Sequence, residues 1–404
     1  MSELERLIQE FCPNGVEYKS LGELGTFYGG LTGKSKDDFI NGNAKFITYK
    51  NVYSNPALEL DVDDRVRIAP DEKQRTLEYG DVIFTGSSET PDECGISSVV
   101  TEKTDEKMYL NSFCFIFRFN DTSYILPDFA KHLFRSTNLR YQIGKTASGV
   151  TRYNVSKDKM KKVVIPVPPI EVQGEIVRIL DNFTELTAEL TAELTARKKQ
   201  YEYYRDMLLT FGDDVPVFAL SDIAQYSKDR IDAACVDADS YIGVDNLLQQ
   251  KKGKVQSSCV PTSGRFTKYH KNDVLIGNIR PYLRKIWFAD NDGGTNGDVL
   301  AIQTISDKVN PRYLFVQLSS EAFFNYDTQN SKGAKMPRGD KDAVMRYPIP
   351  VPSLKEQERI VDILDRFDTL CNDISVGLPA EIQARQKQYE YYRDKLLTFQ
   401  EMSV

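Results

Sequence analysis

Two histidines, one tryptophan and six scattered cysteines leave this 404-residue chain short of the side chains that hold metals or run redox chemistry. Cys12, Cys94, Cys114, Cys235, Cys259 and Cys371 include no C-x-x-C pair, so they read as reduced, partly buried thiols. His132 and His270 have no neighbouring cluster of metal ligands, and His132 reads as a surface residue on a helix. There is no G-x-S-x-G elbow, no G-x-G-x-x-G turn after a strand and no H-E-x-x-H. An Asn/Asp-Pro-Pro-aromatic motif, which a methyltransferase would need beside a cofactor loop, is also missing. Gly29-Gly30-Leu31-Thr32-Gly33-Lys34-Ser35 ends like a phosphate-binding loop, but Tyr28 stands where the first glycine of that motif belongs.

Long apolar runs are lacking as well. No stretch approaches the roughly 20 apolar residues that cross a bilayer, and MSELERLIQEF carries no basic segment followed by an apolar one. A cytoplasmic location is therefore expected. The net charge of −7 excludes a chain coated in positive charge, though not a local basic patch. Residues 264–285 hold six Lys/Arg against one Asp, and residues 145–162 hold six against one.

What the chain does have is an internal duplication. IPVPPIEVQGEIVRILDNFTEL at 165–186 matches IPVPSLKEQERIVDILDRFDTL at 349–370, an offset of 184. RKKQYEYYRDMLLTF at 197–211 matches RQKQYEYYRDKLLTF at 385–399, an offset of 188. The 184 offset extends weakly upstream, placing Gly149 opposite Gly333, and VEYKSLGEL at 16–24 lines up loosely with VPVFALSDI at 215–223. Each repeat is thus a variable domain followed by a near-identical tail. Alike tails suit one kind of partner met twice, and unlike domains suit different targets.

The tails read as long amphipathic helices. A proline-rich stop precedes each, as a first helical turn allows. Apolar positions then recur at spacings of three, four and seven: Ile176, Ile179, Leu180, Phe183, Leu186, Leu190 and Leu194, then Tyr201, Tyr204, Leu208 and Phe211. The second tail repeats this with Ile360, Phe367, Leu370 and Ile374, then Tyr389, Tyr392, Leu396 and Phe399. Gly377-Leu378-Pro379 should kink or restart that helix. Thr187-Ala188-Glu189-Leu190 and Thr191-Ala192-Glu193-Leu194 form a tetrad repeat, which keeps the leucines nearly on one face while setting length. Phe183, Leu186, Leu190, Leu194, Tyr201, Tyr204, Leu208, Phe367, Leu370, Tyr389, Tyr392 and Leu396 are accordingly the expected helix-pairing and partner residues. The stripes would bury best against each other, antiparallel; the alternative is that each helix covers its own domain.

The fold class read from the sequence is α+β: two mixed α/β domains separated by two long antiparallel coiled-coil helices, in a pseudo-two-fold repeat. Expected boundaries are 1–162 and 213–346 for the domains, 163–212 and 347–404 for the helical regions. Strands are expected at Ala44–Tyr49, Asp81–Thr85, Phe113–Phe119, Val274–Ile276 and Val299–Ile305, with helical segments near Pro127–Ile143 and Pro311–Tyr326.

With catalytic motifs missing, the candidates left are basic residues interleaved with aromatics: Arg265, Lys268, Arg280, Arg284 and Lys285, near Phe266, Tyr269, Tyr282 and Trp287. Each domain ends in a further basic loop, Lys145 with Thr151, Arg152, Tyr153 and Asn154, and Lys332 with Lys335 and Arg338. Arginine suits guanine edges and lysine suits phosphates; a solvated charged face is the alternative for each of them.

The two I-P-V-P openings, the E-x-Q and K-E-Q that follow, the tetrad spacer and the QYEYYRD-LLTF endings resemble the specificity subunits of type I restriction–modification enzymes, of the type IC kind. The resemblance spans the architecture and is carried by the tails. It implies two target-recognition domains, each reading one half of a split, asymmetric site in double-stranded DNA, with no catalytic residue, metal or cofactor in this chain. It also implies two methyltransferase subunits bound by the helices and further restriction/translocase subunits. S-adenosylmethionine, ATP and Mg would belong to those partners. Glu171-Val172-Gln173 in one tail stands against Lys355-Glu356-Gln357 in the other, so the two methyltransferase contacts need not be identical. A scaffold bridging two protein-binding domains, and a cryptic nuclease or methyltransferase, are the competing readings.

Overall fold

The computed structural model describes residues 2–373 and 375–402; Ile374 of the second stripe lies outside the described residues. The chain divides into two units, residues 1–191 with 381–404, and residues 192–380.

In the first unit Val82–Thr85 is buried at every position, as befits a strand covered on both faces. It sits inside an antiparallel sheet ordered Gly25–Gly29, Cys114–Phe119, Val82–Thr85, Ser97–Val99. Alternation sorts its side chains. Val82, Phe84, Phe115 and Phe117 face a core shared with Phe129, Leu133 and Phe134, while Ile83 and Ile116 face Ile47, Val52, Met108 and Leu110. A second sheet runs Arg65–Val66, Ala44–Ile47, Met108–Leu110, the last pair parallel.

The second unit rebuilds this plan. Its first sheet is Ala224–Tyr226, Val299–Thr304, Val274–Gly277, Ile286–Phe288. Its second contains Arg265–Tyr269 and Gly293–Thr295, with Tyr241–Ile242 joining in parallel. The parallel step recurring at the same place shows that the duplication includes the variable domains. The weak match between residues 16–24 and 215–223 also gains a cause: Glu17–Ser20 pairs with Val164–Val167, and Val217–Ala219 with Pro348–Pro350. The prolines are tolerated because each is a two-stranded ribbon made only of edges.

Two sequence expectations change, and the expected restart of the second tail is observed. The strand from Ala44 stops at Ile47, because Thr48 caps the helix Tyr49–Ser54 by accepting from the Asn51 N–H. The single segments expected near 127–143 and 311–326 are each two helices, Pro127–Leu133 with Thr137–Gly144 and Pro311–Leu318 with Glu321–Gln329; the extended backbone at Ser136 and Ser320 divides them. The second tail is Leu354–Asn372 followed by Leu378–Leu396, with Pro379 in the new first turn. The first tail is one uninterrupted helix, Ile170–Leu208, of 39 residues.

Each tail begins on its own domain and ends in the other unit. In the first unit Val172, Ile176 and Leu180 join the core beside Tyr389, Leu396, Leu397 and Phe399, and Phe183 stacks on Tyr392 at 5.3 Å. In the second unit Ile360, Val361 and Leu364 pack with Tyr201, Leu208 and Phe211, and Phe367 meets Tyr201 at 6.4 Å and Tyr204 at 5.8 Å. Arg197 and Lys198 face Cys371 there, so these helices run antiparallel. Leu190 and Leu194 are half-buried, whereas Leu186 and Leu370 are exposed. Two tetrad threonines bond back along their own helix: the Thr187 hydroxyl donates to the Phe183 carbonyl and that of Thr191 to the Thr187 carbonyl.

Candidate nucleic-acid interface

In the first unit the basic loop is a hairpin, Ala147–Ser148 against Tyr153–Val155, whose second strand pairs with Ser87–Ser88 just beyond the central strand. Gly149 makes its turn possible, since a Cβ there would lie 2.0 Å from the Arg152 carbonyl oxygen. Arg152 donates from Nε to the Ser87 hydroxyl at 3.1 Å and lies 5.9 Å from the Phe113 ring centroid. Thr151 and Asn154 are exposed and Tyr153 is half-buried. Lys145 sits over the Tyr141 ring at 3.9 Å.

The second unit carries the counterpart at the same point. The Lys332 and Arg338 backbones exchange two hydrogen bonds of 2.9 Å, and the Arg280 N–H donates to the Pro337 carbonyl at 2.7 Å. Arg280 and Arg284 flank the turn Pro281–Leu283 with φ of +54° and +52°. Left-handed arginines are uncommon, and such positions gather where a side chain must be aimed. Arg280 and Lys335 are exposed and meet no side-chain partner among the described residues. Four other cations are engaged: Arg284 with Glu321 at 2.7 Å, Arg338 with Asp298 at 2.9 Å, Arg265 with Asp232 at 3.5 Å, and Lys332 with Asp340. Lys285 donates to the Val244 carbonyl at 2.6 Å. Arg280, Lys332, Lys335 and Arg338 thus share one paired segment, while Arg265 and Lys268 lie on the strand Arg265–Tyr269 of the other sheet.

The phosphate-loop resemblance dissolves. Lys34 binds Glu72 at 2.6 Å and the Arg67 carbonyl, and a single 3-10 turn, Lys36–Phe39, follows. Among the described residues no three His, Cys, Asp or Glu side chains gather as a metal set, and no helix is long and apolar enough to cross a membrane.

The sequence reading missed the groups that lock tails to domains. Gln173, fully buried, accepts from the Leu126 N–H at 2.8 Å and donates to the Tyr124 and Pro168 carbonyls at 2.7 Å each. Gln357 does the same with the Asn310 N–H and the Lys308 and Pro352 carbonyls, partners all displaced by 184 residues. The glutamine shared by E-x-Q and K-E-Q was the available signal. His132 is likewise buried rather than on the surface. Its Nε2 lies 2.7 Å from Asp181 and its Nδ1 2.8 Å from the Tyr389 hydroxyl, so the neutral ring donates to the carboxylate and accepts from the phenol. In the second unit the equivalent carboxylate, Asp365, takes Arg312 instead, at 2.6 Å.

Burial pushes His132 below its ordinary 6.5 despite the opposing pull of Asp181. The folded chain therefore refuses a proton that the unfolded chain takes up, and stability is lost as pH falls below about 6.5. Asp327, pushed up to about 6 by burial, acts in the opposite sense, favouring the folded state at low pH and losing that contribution as pH rises. Melting temperatures at pH 7.5 and 5.5 should therefore be compared between the native chain and His132→Gln. The native chain should lose more on acidification; equal losses would contradict the assignment.

The profile of the family described as "Type I restriction modification DNA specificity domain" matches residues 13–197 and again 212–384. A type I restriction enzyme specificity subunit of Escherichia coli is 34% identical over 274 residues, 61% of this chain and 65% of that protein. A putative type I restriction enzyme specificity subunit of Haemophilus influenzae is 34% identical over 280 residues, 62% of this chain and 68% of that one. The chain thus spans about two thirds of these relatives' lengths. Among solved structures, one concerned with complex assembly and conformational transition of a type I R-M system aligns with a TM-score of 0.59 at 15% identity, covering 95% of this chain and 98% of that one. The type I restriction–modification S subunit of M. genitalium aligns at 0.51 and 12%, covering 95% and 96%. Those structures share the fold.

Proposed function

Because this chain belongs to the type I restriction–modification DNA specificity family, whose profile covers it twice, we propose that it is the non-catalytic, sequence-reading subunit of such a complex in the cytoplasm. Each recognition domain reads one half of a split, asymmetric site in duplex DNA. The two tails hold the spacing and recruit two methyltransferase subunits, to which restriction/translocase subunits add. Methylation with S-adenosylmethionine, and translocation and cleavage with ATP and Mg, fall to those partners.

The observation that carries this reading is one α/β plan built twice, each copy presenting a basic hairpin beside its central strand while the residues on it differ. A matched scaffold with unmatched tips suits two different DNA sequences read in the same manner. Lys145, Thr151, Arg152, Tyr153 and Asn154 serve the first half-site. Arg280, Lys332, Lys335 and Arg338 serve the second, with Arg265, Lys268, Arg284 and Lys285 as flanking contacts.

Arg280 is the base reader of this group, since its side chain is exposed and meets no partner among the described residues, on a turn that fixes its direction. Arg280→Ala, assembled with the methyltransferase, should weaken binding by roughly 1–3 kcal/mol and relax the preference at one position of the second half-site. Uniform loss on every sequence would make it a phosphate contact, and no loss would make it a solvated charge. The native assembly should bind with a steep salt dependence; a scaffold for proteins would show no such slope toward DNA.

A further inference from the structure

The hairpin of the first unit borders a cleft of about 630 Å3. Its floor is the helix Tyr49–Ser54, on which Tyr49 and Tyr53 stack at 6.1 Å. Both rings are held by their hydroxyls, Tyr49 donating to the Ser87 carbonyl at 3.0 Å and Tyr53 to Glu93 at 2.9 Å. Arg152 lines the cleft too, tied to Ser87 as described. Lys50 and Glu89 also line it, both exposed and without a side-chain partner among the described residues.

The duplication supplies an internal comparison. The strand Ala44–Ile47 enters the first unit as Tyr241–Ile242 enters the second, each parallel to its neighbour, and each is followed by a buried asparagine that pins the next segment. Asn51 accepts from and donates to the Glu59 backbone. Asn246 accepts from the Gly243 N–H and donates to the Gln256 carbonyl. With Asn51 set opposite Asn246, Tyr49, Lys50 and Tyr53 fall opposite Val244, Asp245 and Leu248. The pinning residue is kept while the flanking ones change in size and, at Lys50, in sign of charge.

A carboxylate can only accept hydrogen bonds and is repelled by phosphates. Glu89 in a cleft beside Arg152 and Lys50 therefore fits a base edge that offers an amino hydrogen, cytosine N4 or adenine N6 in the major groove. We propose that this cleft reads the first half-site, with Glu89 as the specificity-determining acceptor for an amino-bearing base and Lys50 and Arg152 as the donors beside it. The inference rests on the DNA-reading function proposed above and adds where in the first domain the bases are read.

The test is methylation-site mapping of the full assembly with Glu89→Gln and Lys50→Asp chains. Glu89→Gln should change the preference at one position of the first half-site by roughly ten-fold or more, and Lys50→Asp should shift the same position or its neighbour. The second half-site, the melting temperature and co-purification with the methyltransferase should stay as they are. Uniform loss across sequences, or a change confined to the second half-site, overturns the inference. An assembly of native chain that methylates no split site overturns the underlying reading and this inference with it. A split site that both variants leave untouched overturns the inference alone.

Discussion

One more Thr-Ala-Glu-Leu unit inserted after Leu194 should lengthen the unspecified spacer of the DNA site by one base pair and leave both half-site sequences unchanged. The insertion falls within the helix Ile170–Leu208, the first 22 residues of which belong to the first unit and the rest to the second. Four residues add about 6 Å at a rise of roughly 1.5 Å per residue, and turn the helix about 40° beyond one full turn. A base pair advances the duplex by roughly 3.4 Å and rotates it by roughly 34–36°. Translation alone allows one or two added base pairs, and rotation selects one. The added unit keeps the stripe, because its leucine continues the spacing of Leu190 and Leu194, and its threonine donates back to its own helix as Thr187 and Thr191 do. Methylation-site mapping reads the result. An unchanged spacer would mean that this helix is not the ruler, and altered half-site bases would mean that the domains themselves had been disturbed.

Replacing Gln173 or Gln357 by leucine should lower the melting temperature by about 5–15 °C, the two variants alike. Each substitution nearly preserves volume and removes the three hydrogen bonds of a fully buried amide, leaving one N–H and two carbonyls without that partner. An unsatisfied buried group costs roughly 1–3 kcal/mol, so a loss of about 2–4 kcal/mol is expected, and each kcal/mol shifts a domain of this size by about 2–4 °C. Thermal unfolding followed by circular dichroism measures it. A shift below about 2 °C in either variant would show that the junction of domain and tail is held by the apolar stripe without these bonds.

The tails were legible because they obey local rules twice. Their period, the proline-rich openings, the tetrad and the interruption at Gly377-Leu378-Pro379 all lie within a few turns of chain. The sheets were less legible because their pairings are not local. Ala44–Ile47 finds Met108–Leu110, and no periodicity within either short segment announces a parallel partner. His132 was misread for the same reason: on its own helix it sits beside Lys131, and its partners are Asp181 and Tyr389, 49 and 257 positions away. The sequence offered Arg284 and Lys285 as candidate DNA contacts, and Glu321 and the Val244 carbonyl hold them, partners that only the fold brings near. Tyr49 and Lys50 went unnoticed because the sequence read their surroundings as a strand end, whereas the Thr48 cap turns them onto a helix that floors a cleft.

The central claim is that this chain supplies the sequence preference of an enzyme whose chemistry lies elsewhere. It is tested most directly by producing the methyltransferase subunits with and without this chain, in a host free of other adenine methylation, and sequencing the modified bases. The account predicts methylation at one split, asymmetric motif, present only when this chain is present. The same motif without the chain, or an uninterrupted motif with it, would contradict the account.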